Sequence, residues 1–374
     1  MIIKREIHDN IIKALFKNKI IVIYGARQVG KTTLVKEIIA ENKTDTLYLN
    51  CDEPDIREAL TGKTSTELKL FLGRYRLVVI DEAQRVKDIG LTLKLIIDNF
   101  PEIQVIATGS SSFELSGKVS EPLTGRKIEF FLYPFSVSEL SQKYSALEIE
   151  RILEEQLVFG MYPGVFFSGG DREKILRELA TSYSYKDVLA YQDIRNPELL
   201  EKLLKALALQ VGSEVSYSEL AQILGVNKVT VENYVRILEQ AYIIFRVGPF
   251  SRNIRNELKK KRKIYFYDLG LRNALINNLN PVSLRTDIGI LWENFLVSER
   301  LKRNNNLNLS ANMYFWRTTS GKEIDYVEDA AGVLSGYEFK WKKNNFRVPK
   351  EFISAYSGSS VRLINRDNYR EFIG

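Results

Sequence analysis

The sequence predicts an α/β protein whose first third is a parallel sheet covered by helices on both faces. Residues 20–132 alternate short apolar runs with helical patterns. Four of the five runs are apolar almost throughout, without the in/out alternation of a half-exposed strand. The first run also leads into a glycine-punctuated turn that opens a helix. The expected strands are residues 20–24, 46–49, 77–80, 105–108 and 128–132.

At 374 residues the chain exceeds one ordinary core, and roughly 100 to 200 residues per domain suggests two to four domains. Charged residues are 27% and apolar ones 45% of the total, a globular composition. No apolar stretch approaches the ~20 residues of a membrane span, so no membrane partner is expected. The N-terminal stretch is too charged for a secretory signal and Cys51 is the only cysteine, so the expectation is a cytoplasmic protein without disulfides. The net charge of +7 permits a polyanionic partner without requiring one. His8 is the only histidine, which excludes zinc clusters and any Ser/His/Asp or Cys/His constellation needing another.

The chemistry begins at Gly25-Ala26-Arg27-Gln28-Val29-Gly30-Lys31-Thr32, which fits G-x-x-x-x-G-K-[ST] between a strand and a helix expected from Thr33 to Ala40. Glycines let backbone N–H groups point at phosphate oxygens, and the helix N-terminus adds favourable partial charge. Lys31 then reaches the β/γ-phosphates and Thr32 presents its hydroxyl to Mg²⁺. Residues 25–33, Thr33 included, form the expected nucleotide cradle, with ATP and Mg²⁺ as cofactors. A plain strand-to-helix turn is the alternative.

Residues 77–80 run straight into Asp81 and Glu82. Asp81 is expected to hold the Mg²⁺ shell, and Glu82 to orient or deprotonate the attacking water. Simple helix capping competes with that reading. Ser110, at the end of the next strand, is the candidate polar sensor of the γ-phosphate, against plain turn chemistry. Arg126 is the candidate arginine finger, offered to a neighbouring subunit, with Arg27, Arg74 and Arg76 as rivals. A finger in trans requires a homo-oligomer, of which a hexamer is one form.

With "IYGARQVGKTTL", "VVIDEAQ", "VIATGSSS", "LTGRKIEFFLYPFSVSEL", "GMYPGVF" and "KIYFYDLGLRNAL" spread over nearly its whole length, the chain resembles the AAA+ ATPases of archaea and bacteria that carry a C-terminal domain of unknown function. The resemblance implies a five-stranded P-loop core, a helical lid, a winged helix-turn-helix and a C-terminal domain similar to the PD-(D/E)xK nuclease fold. The corresponding division is residues 1–140, 141–210, 211–250 and 251–374.

The helix-turn-helix also stands on its own residues. A helix over 218–224, a turn at Gly225-Val226, an Asn227 N-cap and a helix over 228–240 with Val231, Val235 and Leu238 inward fit it. Its outward side chains are Lys228, Thr230, Glu232, Asn233 and Arg236, and with Glu239 nearby the helix is roughly neutral, so DNA binding competes with domain packing or protein contact. Residues 251–263 hold seven cations and one acid, a footprint for nucleic acid or a solvated loop.

In the last segment the two-residue strand period puts Glu323 with Asp325 and Glu338 with Lys340 on single faces. Asp325 and Glu338 are the candidate ligands of a second Mg²⁺, with Lys340 the group that positions or activates water; the resemblance to the nuclease fold implies Glu293, from a preceding helix, as a further ligand, although Ile324 stands where that motif has proline. An amphipathic strand with a solvated polar face is the plain alternative. The residues together predict an ATPase coupled to DNA binding or remodelling, with nuclease activity an open question in the last domain. The rival is a nucleotide-gated interaction or assembly switch with a catalytically dead nuclease-like domain.

Overall fold

The five apolar runs become five parallel strands, β1 (Ile20–Tyr24), β2 (Thr46–Asn50), β3 (Leu77–Asp81), β4 (Gln104–Gly109) and β5 (Lys127–Phe131), in the spatial order β2-β3-β4-β1-β5. The computed structural model describes residues 3–109, 123–182, 196–251, 262–318, 320–342 and 346–374. Contacts divide the chain into two compact units, residues 1–133 with 240–242 and residues 134–239 with 243–374.

In the first unit β1, β3 and β4 are buried at every residue, whereas the edge strands β2 and β5 are partly exposed. That is the burial of a sheet covered on both faces. The covering helices are α1 (Ile7–Ala14), α2 (Lys31–Glu41), α3 (Pro54–Leu60), α4 (Ser65–Leu72) and α5 (Ile89–Asn99). Parallel pairing aligns the carboxyl ends of β1, β3 and β4 at one sheet edge.

The second unit opens with helices α6 (Val137–Ser141), α7 (Ala146–Phe159), α8 (Pro163–Phe166), α9 (Arg172–Ser182) and α10 (Pro197–Leu209). Capping boxes start α6 at Ser136/Glu139 and α7 at Ser145/Glu148, each side-chain cap contributing about 1 kcal/mol. Then follow β6 (Glu214–Val215), α11 (Tyr217–Leu224), α12 (Lys228–Gln240) and β7 (Ile244–Pro249). Asn227 caps α12 as expected, its Oδ1 accepting from the Thr230 N–H at 2.8 Å. The remainder is β8 (Arg262–Phe266), α13 (Leu269–Leu275), α14 (Ile288–Asn306), β9 (Asn312–Arg317), β10 (Glu323–Ala330), β11 (Val333–Phe339), α15 (Lys350–Ala355), β12 (Ser360–Ile364) and α16 (Tyr369–Ile373).

The strands that flank the helix-turn-helix pair with one another, β6 and β7 each lying antiparallel to β8. β7 pairs with β8 antiparallel and with β9 parallel, so one sheet of order β12-β11-β10-β9-β7-β8-β6 runs through the unit. Contacts accordingly gather the three modules expected after residue 140 into a single unit. β10 turns into β11 through Ala331-Gly332, and both residues have positive φ, 51° and 83°.

A polar hub binds the helices of this unit. Arg272 on α13 donates to the Ala208 carbonyl of α10 at 2.7 Å and to Asp287 at 2.7 Å, and Asn273 donates to the Leu157 and Val158 carbonyls of α7. Arg285 closes the hub with two further bonds to Asp287 at 2.8 and 2.9 Å. Burial alone would raise the Asp287 carboxyl, but hydrogen bonds from Arg285 and Arg272 outweigh it and hold the group at about 2. Asp287→Ala should therefore destabilise the protein by about 3 kcal/mol or more, since it leaves two buried guanidinium groups without their counter-ion. The stabilisation is present above the unfolded value of about 3.9 and fades as pH falls through about 2; denaturant titration of parent and variant across that window checks both.

Candidate nucleotide site

The phosphate loop joins β1 to α2, and two glycines shape it. A Cβ at Gly25 would lie 2.2 Å from the Leu132 carbonyl oxygen, and Gly30 has φ +100°, the left-handed region that favours glycine. α2 begins at Lys31, two residues ahead of the expected Thr33, because Gly30 is its N-terminal flank. Lys31 is buried, and its ammonium donates to the Gly25 and Ala26 carbonyls, both at 2.9 Å. A residue the sequence reading missed braces the loop from outside: buried Arg5 donates to the Val29 carbonyl at 2.7 Å and to the Tyr133 carbonyl.

The acid pair sits at the end of β3. Asp81 is 2% exposed. Its Oδ2 accepts from the Thr32 hydroxyl at 2.8 Å and the Tyr48 hydroxyl at 2.6 Å, and its Oδ1 accepts from the Thr108 hydroxyl. Glu82 has positive φ, 54°, and its N–H donates to the Thr108 hydroxyl at 3.1 Å while its Oε2 accepts from the Gln84 amide at 2.6 Å. A cleft of about 380 Å³ opens beside these groups, lined by Thr32, Lys36, Tyr48, Asp81 and Glu82 among others. Burial and the bond to Asp81 hold the Tyr48 phenol above its ordinary value. Neighbouring Cys51 is buried and its thiol is pushed up to about 12, so it is no nucleophile.

The structure brings Thr32, Asp81 and Glu82 together, with Lys31 on the same loop. Ser110 lies outside the described residues; Thr108, two positions earlier, is the polar group of β4 that touches both acids. Arg126 is exposed and pairs with Asp98 at 2.7 Å. Of its rivals, Arg74 and Arg76 lie over the Tyr75 and Phe16 rings. Tyr48 and Arg5 had no motif signal, because their partners lie 33, 24 and 128 positions away.

A second charged cluster lies on the C-terminal sheet. Glu293 Oε1 accepts from Lys263 at 3.0 Å and from the Tyr265 hydroxyl at 2.7 Å, and Lys263 also pairs with Glu323 at 2.7 Å. Asp325 accepts from the Phe339 N–H at 2.8 Å and stands where the β9–β10 register shifts, an irregularity that re-aims side chains. Lys340 pairs with Glu338 at 2.8 Å, while Glu338 Oε2 is buried without a hydrogen-bond partner among the described residues. Burial raises the carboxyls of Glu293, to about 7, and of Asp325 and Glu338. Burial would lower Lys263, but the facing Glu293 and Glu323 outweigh it and hold the ammonium above its ordinary value. Among the described residues no group of three or more His, Cys, Asp or Glu is placed to hold a metal ion. Residues 252–261, the core of the basic stretch, lie outside the described residues.

Residues 17–141 match the family model of an AAA domain, and residues 150–282 and 288–370 match two domains of unknown function, DUF8612 and DUF4143. In fold the chain is similar to the Walker-type ATPase PABY2304 of Pyrococcus abyssi, at TM-score 0.50 and 17% identity over 73% of this chain and 96% of that one. The first third of the chain thus matches an AAA domain, and the likeness to the Pyrococcus abyssi protein is one of fold. Uncharacterized proteins of Mycobacterium tuberculosis and Methanocaldococcus jannaschii are each 26% identical, covering 91% and 84% of this chain and 74% and 73% of their own length. No helix among the described residues is long and apolar enough to cross a membrane.

Tyr48 donates to Asp81 Oδ2 and so fixes the orientation of that carboxylate. Tyr48→Phe should weaken Mg²⁺-ATP binding about tenfold with the melting temperature little changed, as read by titration with a fluorescent ATP analogue at fixed Mg²⁺.

Proposed function

We propose that this chain hydrolyses ATP with Mg²⁺ and couples turnover to engagement of DNA by its second unit. The observation that carries the reading is the hydrogen bond from Thr32 to Asp81, which ties the phosphate loop to the acid pair. Lys31 would hold the β/γ-phosphates, Thr32 and Asp81 would hold the metal, and Glu82 would orient the water and take its proton. Mg²⁺ supplies neutralisation of the charge on the phosphates. Arg126 would serve a neighbouring copy; its exposed pair with Asp98 is of a kind worth about 0–1 kcal/mol and is easily exchanged.

For DNA the support is the α11–α12 arrangement. Lys228, Asn233 and Arg236 are exposed along α12, and Ile223 and Val229 add exposed apolar contact, a combination that suits base edges and thymine methyls. Lys228 pairs with Glu232 at 3.2 Å, which moderates the charge of the helix.

Lys31→Ala and Glu82→Gln should each cut ATP turnover by about 10²-fold or more. Parent turnover per subunit should rise with protein concentration, and Arg126→Ala should abolish that rise. Parent-like rates in Lys31→Ala or Glu82→Gln would overturn the reading.

The carboxylates of the C-terminal sheet carry two readings. The buried Oε2 of Glu338, without a hydrogen-bond partner among the described residues and beside Asp325 and Lys340, suits a cation for phosphodiester cleavage. The Lys263 ammonium on Glu293 and Glu323 favours the second reading, a nuclease-like domain whose charges are already matched internally and which acts as a nucleotide-gated switch. The second reading expects no Mn²⁺-dependent cleavage of single-stranded, duplex or branched DNA by the parent. Cleavage that Asp325→Ala and Lys340→Ala both abolish would establish the first.

A further inference from the structure

A separate cavity of about 220 Å³ lies within the helices of the second unit, and none of its lining residues belongs to the phosphate loop or the acid pair. α7 supplies Ile152, Gln156 and Phe159 from one helical face, and Tyr144 and Phe166 stand against it with rings 5.9 Å apart in an edge-to-face arrangement. The lining is largely apolar and aromatic, with Glu155, Gln156 and Arg172 as its polar members. Gln156 is 3% exposed, yet neither its amide nitrogen nor its amide oxygen has a hydrogen-bond partner among the described residues. Also lining the cavity, Arg172 pairs with Glu155 through Nη1, while its Nε is buried and likewise without a partner among the described residues.

A buried primary amide normally finds partners, because leaving both ends unpaired forfeits the hydrogen bonds that water would give. Here the donor and acceptor lie side by side in an apolar, aromatic-lined space. The complementary ligand is a flat ring that carries an acceptor and a donor on adjacent atoms.

We propose that this cavity takes a nucleobase, adenine foremost, whose ring packs against Tyr144 and Phe166 while Gln156 pairs with its donor–acceptor edge. A glutamine amide is suited to adenine in this bidentate way, and aromatic side chains accept extruded bases by stacking. Arg172 Nε is a further donor, available to a sugar or phosphate oxygen attached to the base. The base comes either from a free nucleoside or nucleotide or from a single strand, and the two sources present the same ring chemistry.

The test uses the full chain carrying Lys31→Ala, so that the phosphate loop does not contribute. Binding of adenosine, of oligo(dA) and of an abasic strand of equal length is measured by titration calorimetry. Adenosine, oligo(dA) or both should bind, with the abasic strand at least tenfold weaker than oligo(dA) if a strand is the source. Adding Gln156→Leu should weaken the bound probe by about tenfold or more. It should also raise the melting temperature of the unliganded protein, because it removes an unpaired amide; a purely structural glutamine would lower it. Should Gln156→Leu fail to fold, Val165→Trp, which fills the cavity from another wall, should abolish the same binding. Adenosine alone binding identifies a free nucleoside or nucleotide as the source, and oligo(dA) alone identifies a strand. No binding of either probe, or equal affinity with and without Gln156→Leu, overturns the proposal.

Discussion

The first unit depends on how one buried carboxylate is satisfied. Asp81 is almost inaccessible to water, and an ionised carboxylate in such a place is costly unless several donors reach it. Three do, each from a different element: Thr32 from the start of α2, Tyr48 from β2 and Thr108 from β4. Their convergence requires the strand order in which β3 lies between β2 and β4 while β1, which delivers the phosphate loop, pairs with β4. Thr108 also fixes the backbone of Glu82, so the second acid inherits its position from the first.

A different economy of charge organises the second unit. Its buried polar groups join helices that are far apart in sequence, as where Arg272 meets Ala208 and Asn273 meets the end of α7. α14 adds a buried pair, Glu299 with Lys302, whose other atoms accept from the Val137 N–H and donate to the Phe135 carbonyl. These ties, with the pairing of β7 to β9, explain why modules with separate sequence character share one unit.

Features set by neighbouring residues are legible in the sequence. The five strands differ from their expected bounds by a residue or so, and Asn227 caps the helix that runs from Lys228 to Gln240. Each depends on periodicity or on partners within a few residues. Thr108 is instructive: its hydroxyl donates to the Asp81 carboxylate and accepts from the Glu82 N–H, whereas the candidate Ser110 lies outside the described residues. In β10, alternation pairs Glu323 with Asp325, but the register shift at that point and the arrival of Lys263 and Tyr265 from β8 belong to the assembled sheet.

The sequence by itself determined the glycine-rich loop, the acid pair that follows an apolar strand, the parallel α/β character of the first third and the helix-turn-helix, because each is written in neighbouring residues. Only the tertiary structure decided that Tyr48 and Thr108 hold Asp81, that Arg5 braces the loop, that Lys263 stands against Glu293 and Glu323, and that Gln156 is buried without a hydrogen-bond partner among the described residues. Those facts depend on strand order, helix packing and burial, which bring together side chains separated by tens of residues and which no short-range spacing encodes.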